Sequence, residues 1–193
     1  MLNKYFILLV IGGKMKHILF NDIISQINNK NIAKFVIECL KDAPEELEVL
    51  PTSSSNKYHP SMANREGGLI WHIQRTCWFA NQFIEAYQWK ADDIRGDIVI
   101  AALLLHDIGK REKYKNYWQY VDHPKTASKM VEKHKDILPQ KVFKLISNCI
   151  LHHMGPFGGK FFKKPIEKYN ILELIVYNSD FLASRKHIPN GEI

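Results

Sequence analysis

The residues able to do chemistry here are histidines and aspartates at the ends or inner faces of separate apolar segments: His72, His106-Asp107, His123, His152-His153 and Asp180. His106-Asp107 follows directly on the run Ile98-Val99-Ile100-Ala101-Ala102-Leu103-Leu104-Leu105. A carboxylate delivered out of a hydrophobic core is costly unless compensated, so Asp107 requires a cation, a metal or a proton beside it. His72 lies between Leu69 and Thr76 on the apolar face of its own segment, which points its imidazole inward. Each remaining candidate comes from a different segment, and segments of this kind can converge on one point.

The donor set is imidazole nitrogen and carboxylate oxygen without thiolate. It suits a divalent transition metal such as Mn, Fe, Co, Ni or Zn and disfavours a purely structural zinc site. The candidates outnumber the positions of one tetrahedral ion. Two ions bridged by Asp107, about 3.5–4 Å apart as in phosphatases and nucleases, use the surplus. Such a pair acidifies a bridging water for attack and neutralises phosphoryl oxygens.

The elements that must position these groups are helical. Ile18–Ile27 and Ile32–Leu40 carry helical apolar spacing and predict an N-terminal helix pair. Ala43–Glu66, with its prolines and Ser53-Ser54-Ser55, predicts a loop or lid. Gly67–Tyr87 predicts an amphipathic helix with Leu69, Ile73, Thr76, Ala80 and Phe83 on one face. Asp92 or Asp93 caps the next helix. That helix is apolar all round, hence central, and Gly109 is expected to stop it. A charged loop runs on to Asp122. His123–His134 and Gln140–His152 read as helices, Gly155–Lys168 as a Gly/Pro/Lys loop, and Tyr169–Ser184 as a final apolar helix carrying Asp180. Nothing alternates at period two for long, so the expected fold is all-α, a compact helical bundle with the metal site at its centre.

At 193 residues, with 46% apolar and 24% charged residues, the chain fits one globular domain and excludes disorder. The net charge of +7 favours anionic partners: nucleotides, nucleic acid or acidic surfaces. Cys39, Cys77 and Cys149 show no paired spacing and read as core residues in a reducing compartment, hence an expected cytoplasmic location. Tyr5–Ile11 is far shorter than the ~18–20 residues of a membrane span and lacks a signal-peptide cleavage site, so no membrane association is expected. Ile-Gly-Gly-Lys-Met at 11–15 can be encoded by a purine-rich stretch resembling a ribosome-binding site before an AUG. Met15 is therefore the expected start, residues 1–14 a non-functional extension and 15–193 the domain; the intact mass of natively expressed protein reads this directly.

The ordered pattern Gly67-Gly68-Leu69-Ile70-Trp71-His72, His106-Asp107-Ile108-Gly109-Lys110, His123, His152-His153 and Asp180 resembles the HD-domain superfamily of metal-dependent phosphohydrolases, over about Tyr58 to Arg185. Tyr58-His59-Pro60, His152-His153-Met154-Gly155 and Asp180-Phe181-Leu182-Ala183 look most like bacterial HD-type 3′–5′ exoribonucleases. The resemblance implies one metal on His72, His106, Asp107 and Asp180. A second, sharing Asp107, falls to His123 and one or both of His152 and His153. It also implies a substrate-phosphate contact at Lys110. Two departures bear on substrate. The sequence leaves no room for the exoribonucleases' additional N-terminal OB domain, and the Gly-Tyr-Pro signature of cyclic-dinucleotide phosphodiesterases is missing after His152-His153.

Further substrate-side candidates are Lys160 and Lys163 in the basic Gly158–Lys164 loop, where cations and aromatics mix as a nucleotide or single strand requires. Arg75, one turn beyond His72, is placed to reach a phosphate or to pair with an acid. His59 reads as a substrate-side group on the lid or as a plain loop histidine. His17, His134 and His187 have no partner identifiable in the sequence and read as surface residues. The expected function is hydrolysis of a phosphate ester or anhydride in a nucleotide or short single-stranded nucleic acid, with Asp107 and Lys110 central to it. The alternatives are a non-catalytic nucleotide-sensing module and a DNA-binding regulator; the latter accounts for the charge but leaves His72 and His106-Asp107 unexplained.

Overall fold

The computed structural model describes residues 16–52, 57–110, 122–161 and 164–189. Among them the regular elements are all helical and no strand occurs. The α-helices are α1 (Asn21–Ile24), α2 (Lys30–Lys41), α3 (Gly68–Ala86), α4 (Ile94–Leu105), α5 (His123–Glu132), α6 (Gln140–His152) and α7 (Ile171–Ala183).

The bundle is built around α4. Asp93 caps it, its carboxylate accepting from the Arg95 amide, and every residue from Asp97 to Leu105 is buried. A helix apolar on all sides can only be satisfied by neighbours on all sides. α2, α3, α6 and α7 supply them. Full burial of one Leu or Ile contributes about 1.5–3 kcal/mol. The run of leucines that closes α4 is wholly buried, so the residues that follow it leave the most constrained part of the molecule.

The outer helices bury one stripe each. On α2 it is Ile32, Phe35, Val36, Cys39 and Leu40, with Asn29 capping by accepting from the Asn31 and Ile32 amides. On α3, Leu69, Ile73, Thr76 and Ala80 are buried as their spacing requires, and α7 lies alongside. α7 opens with a reciprocal capping box between Asn170 and Glu173. The three cysteines are buried free thiols, and burial pushes all of them up, leaving them protonated and inert.

Three segments depart from expectation. Instead of one helix over Ile18–Ile27, the chain forms a 3₁₀ turn, Lys16–Phe20, and the short α1. Beyond α1 the Asn28 and Asn29 amides donate to Asp97 of α4 at 3.1 and 2.7 Å, and Asn29 is committed to capping α2. The expected lid over Ala43–Glu66 carries two 3₁₀ turns, Glu45–Glu48 and Ser61–Asn64. Thr52 pins it to the bundle, its amide donating to Ala63 at 2.8 Å and its hydroxyl to the Gly68 carbonyl at 2.8 Å. Gly155–Lys168, expected as a loop, contains the 3₁₀ turns Gly155–Phe161 and Ile166–Lys168.

The expected charged loop at 111–121, Ser53-Ser54-Ser55, Met1–Met15 with the expected start, and Lys163 lie outside the described residues, as does the side chain of Lys160. Among the described residues no helix is long and apolar enough to cross a membrane.

Candidate metal centre

α4 ends at Leu105, and His106 to Lys110 turn beneath α5 without leaving the interior; all five are buried. The His106 Nδ1–H donates to the Leu103 carbonyl at 2.6 Å. That bond fixes the ring and turns Nε2 toward the centre of the bundle. His153, at the end of α6, repeats the device: its Nδ1–H donates to Ile150 at 2.7 Å. Gly109 does not stop the helix by a left-handed turn, since the glycines with positive φ are Gly67 and Gly155. It serves close approach, with the α5 backbone against its Cα.

Asp107 organises what converges there. Its Oδ1 lies 3.0 Å from His123 Nε2 and 3.7 Å from His153 Nε2. Its Oδ2 lies 2.7 Å from Lys110 Nζ, 3.3 Å from His106 Nε2 and 3.7 Å from His72 Nε2. Asp180 Oδ1, from α7, closes the second side at 3.0 Å from His72 Nε2 and 3.8 Å from His106 Nε2. The ligand atoms of His72, His106 and Asp180 lie within 4.8 Å of one another, and so do those of His106, Asp107 and His153.

These groups fit a divalent cation on internal grounds. Among the described residues, His72 Nε2, His106 Nε2 and Asp107 Oδ1 are buried with no partner in hydrogen-bond geometry. The Nε2 atoms of His123 and His153 face one another at 3.1 Å, and two imidazole lone pairs meet that closely only with a proton or a cation between them. Leaving a buried polar atom unsatisfied costs about 1–3 kcal/mol each. Burial on its own would raise the Asp107 carboxyl, but His106, Lys110 and His123 hold it well below the usual carboxylate range. Asp180 is likewise held down, against its burial, by His72 and His106. Burial resists protonation of His106, but Asp107 and Asp180 outweigh it and move that ring up. Burial pushes His153 down to about 3 and lowers His72 as well. The ionised carboxylates of Asp107 and Asp180 and the neutral rings of His72 and His153 are in the forms that bind a metal, and His106 gives up its proton to a cation that takes its place.

The site forms the floor of a cavity of about 810 Å³, within the usual range for small-molecule sites. A family model described as HD domain matches residues 70–184, which span His72 to Asp180. The chain belongs to the HD-domain family. HD domains mark a superfamily of metal-dependent phosphohydrolases that bind divalent metals. No curated protein and no solved structure matches the chain.

Within this HD domain the structure gathers His72, His106, Asp107, His123, His153 and Asp180 but not His152. The adjacent His152 faces away, its Nδ1 2.7 Å from Glu173 Oε1, in a cluster where Lys164 Nζ also reaches Glu173 and the Tyr169 hydroxyl donates to the His152 carbonyl. One residue along a helix is about 100° of rotation, and here that turns His153 to the cluster and His152 to Glu173. Metal titration separates the two. His153→Ala is expected to weaken binding by at least about tenfold. His152→Ala is expected to leave affinity within about twofold while costing about 1–2 kcal/mol of stability, through its hydrogen bond to a buried carboxylate.

Arg75 is also corrected. It is fully buried and points away from the cavity, donating to the carbonyls of Ala183 at 2.7 Å and Ile188 at 2.8 Å. Among the described residues it has carbonyl rather than acidic partners, and it ties the end of α7 and the segment after it back to α3. Lys110 lines the cavity, bonded to Asp107 and, at 3.3 Å, to the Thr52 carbonyl. His59 lines it too, its ring centroid 5.8 Å from that of His72, and burial pushes it down to about 3.

The sequence reading missed the outer wall. Tyr58, Phe157, Tyr177, Phe181 and Arg185 line the cavity, and so does His187 at its exposed rim. His134 has a partner as well, Asp42 at 3.2 Å. A signal was available for part of the wall: Tyr177 lies three residues before Asp180 and four before Phe181, the spacings that put neighbours along one side of α7.

Proposed function

We propose that this HD domain hydrolyses a phosphate ester or anhydride in a nucleotide or short single-stranded nucleic acid. Its metal site would use His72, His106, Asp107 and Asp180 on one side and His123 and His153 on the other, with Asp107 shared. The observation that carries the reading is the buried Asp107 carboxylate, each of whose oxygens faces its own pair of imidazoles at the floor of a ligand-sized cavity. A divalent ion, when bound, supplies acidification of water and neutralisation of phosphoryl charge.

The chain's own groups have distinct tasks. Asp107 and Asp180 stay ionised because cationic and hydrogen-bonding partners surround them. Lys110 holds Asp107 in register and brings a positive charge to the cavity wall, where a phosphoryl group would lie. His59, uncharged near neutrality, offers a hydrogen bond rather than a charge. The net charge of +7 favours encounter with anions.

The test is a hydrolysis screen on chelator-stripped protein reloaded with Mn, Fe, Co, Ni or Zn. Nucleotides, dinucleotide polyphosphates, cyclic dinucleotides and short single-stranded RNA are offered in turn. Turnover of at least one substrate, lost again on chelation, is expected. Tight metal binding without turnover of any of them would overturn the reading in favour of a sensing module.

A further inference from the structure

The cavity does not end at the metal centre. Beyond it the wall turns aromatic, and two of its large rings are left in solvent: Phe157 is 55% exposed and Tyr58 is 50% exposed. Phe157 and Phe181 lie nearly parallel, with centroids 6.1 Å apart and planes inclined by 21°. The Arg185 guanidinium lies 3.9 Å from the Phe181 ring centroid and 5.4 Å from that of Tyr58, so it sits against two aromatic rings. Its Nε is buried without a hydrogen-bond partner among the described residues.

The backbone holds this wall in place. Gly155 adopts φ +52°, and a Cβ there would lie 2.5 Å from the Tyr177 ring, so the turn leading to Phe157 is seated on α7. Arg75 fixes the other side by binding the carbonyls of Ala183 and Ile188.

Parallel ring faces with a guanidinium beside them recognise a flat heteroaromatic group that carries hydrogen-bond acceptors. An alkyl chain has no such face, and a sugar, which can pack its C–H groups on a ring, lacks the planar π-system with ring acceptors that would engage both groups. We propose that Phe157, Phe181 and Arg185 form a base-stacking subsite: the nucleobase lies against Phe157 while the phosphate reaches the Asp107 end of the same cavity. This rests on the nucleotide reading of the reaction and adds that the base, rather than the phosphate alone, selects the substrate. The base can belong to a free nucleotide or to the end of a single strand.

Calorimetric binding to the metal-free full chain tests it independently of turnover, with adenosine 5′-monophosphate, a short oligoadenylate and ribose 5-phosphate as probes. Both base-bearing probes are expected to bind at least about tenfold more tightly than ribose 5-phosphate, the span that stacking on one aromatic supplies. Phe157→Ala is expected to remove about tenfold of that preference, and Phe157→Trp to restore it. Phe157 is exposed, so neither variant disturbs the core. Tighter binding of the oligoadenylate than of the mononucleotide assigns the base to a strand end; equal binding assigns it to a free nucleotide. Equal affinity for ribose 5-phosphate and the nucleotide, no measurable nucleotide binding, or an equal loss for all probes in Phe157→Ala would overturn the subsite. Hydrolysis without base preference would sink the subsite alone, whereas base-selective binding with no hydrolysis would sink only the reaction.

Discussion

Replacing Asp107 with alanine is expected to lower metal-dependent phosphate release by about 10⁴-fold, roughly 5.5 kcal/mol in the barrier, while leaving the far-ultraviolet circular dichroism unchanged. The rate effect is large because this carboxylate serves both halves of the cluster, Oδ1 toward His123 and His153 and Oδ2 toward His72 and His106. Its loss also leaves Lys110 without its closest anionic partner in a buried place. The helical signal persists because Asp107 lies beyond the end of α4 and caps no helix. Asp107→Asn, which keeps the shape and removes the charge, separates geometry from electrostatics. It is expected to fall close to the alanine variant, since the two metal sides depend on the anion. Near wild-type turnover in either variant would contradict the assignment.

Gly109→Ala is the second change expected to have a large effect, and it acts through the backbone. A Cβ at this position would lie 2.4 Å from the His123 carbonyl oxygen and 2.7 Å from the Ala127 nitrogen. Both belong to the first turns of α5, which is packed on α6 and has no slack. Adding one methyl must push α5 outward, and its N-terminal residue is His123, 3.0 Å from Asp107. Overpacking of this kind costs about 2–3 kcal/mol. Urea denaturation should show a loss of that size, and metal titration should show weakened binding through the displaced His123. Unchanged values in both measurements would mean that α5 yields more easily than its packing implies.

The legible part of this molecule was legible for physical reasons. A helix apolar on every side has to be central, so α4 and the buried His106-Asp107 pair could be read from the run that precedes them. His72 could be placed because its apolar neighbours set the phase of α3. The choice between His152 and His153 was readable by the same logic. Ile146, Cys149 and Ile150 are the buried residues of α6, and His153 lies at helical spacing from all of them whereas His152 does so only from Cys149. Arg75 was not readable, because its partners are carbonyls of a segment more than a hundred residues away that follows α7. The aromatic wall has the same character. Tyr58, Phe157 and Arg185 come from three irregular or terminal stretches, and only tertiary packing brings them to one cavity.

Both sides of the candidate metal site meet on one buried aspartate. Equilibrium dialysis of the stripped full chain against Mn, Co or Zn, followed by metal analysis, reads out its role. Two equivalents per chain are expected in the wild-type protein, with loss of both in Asp107→Ala. An alanine variant that retains the wild-type metal content, or a wild-type chain that binds none, would contradict it.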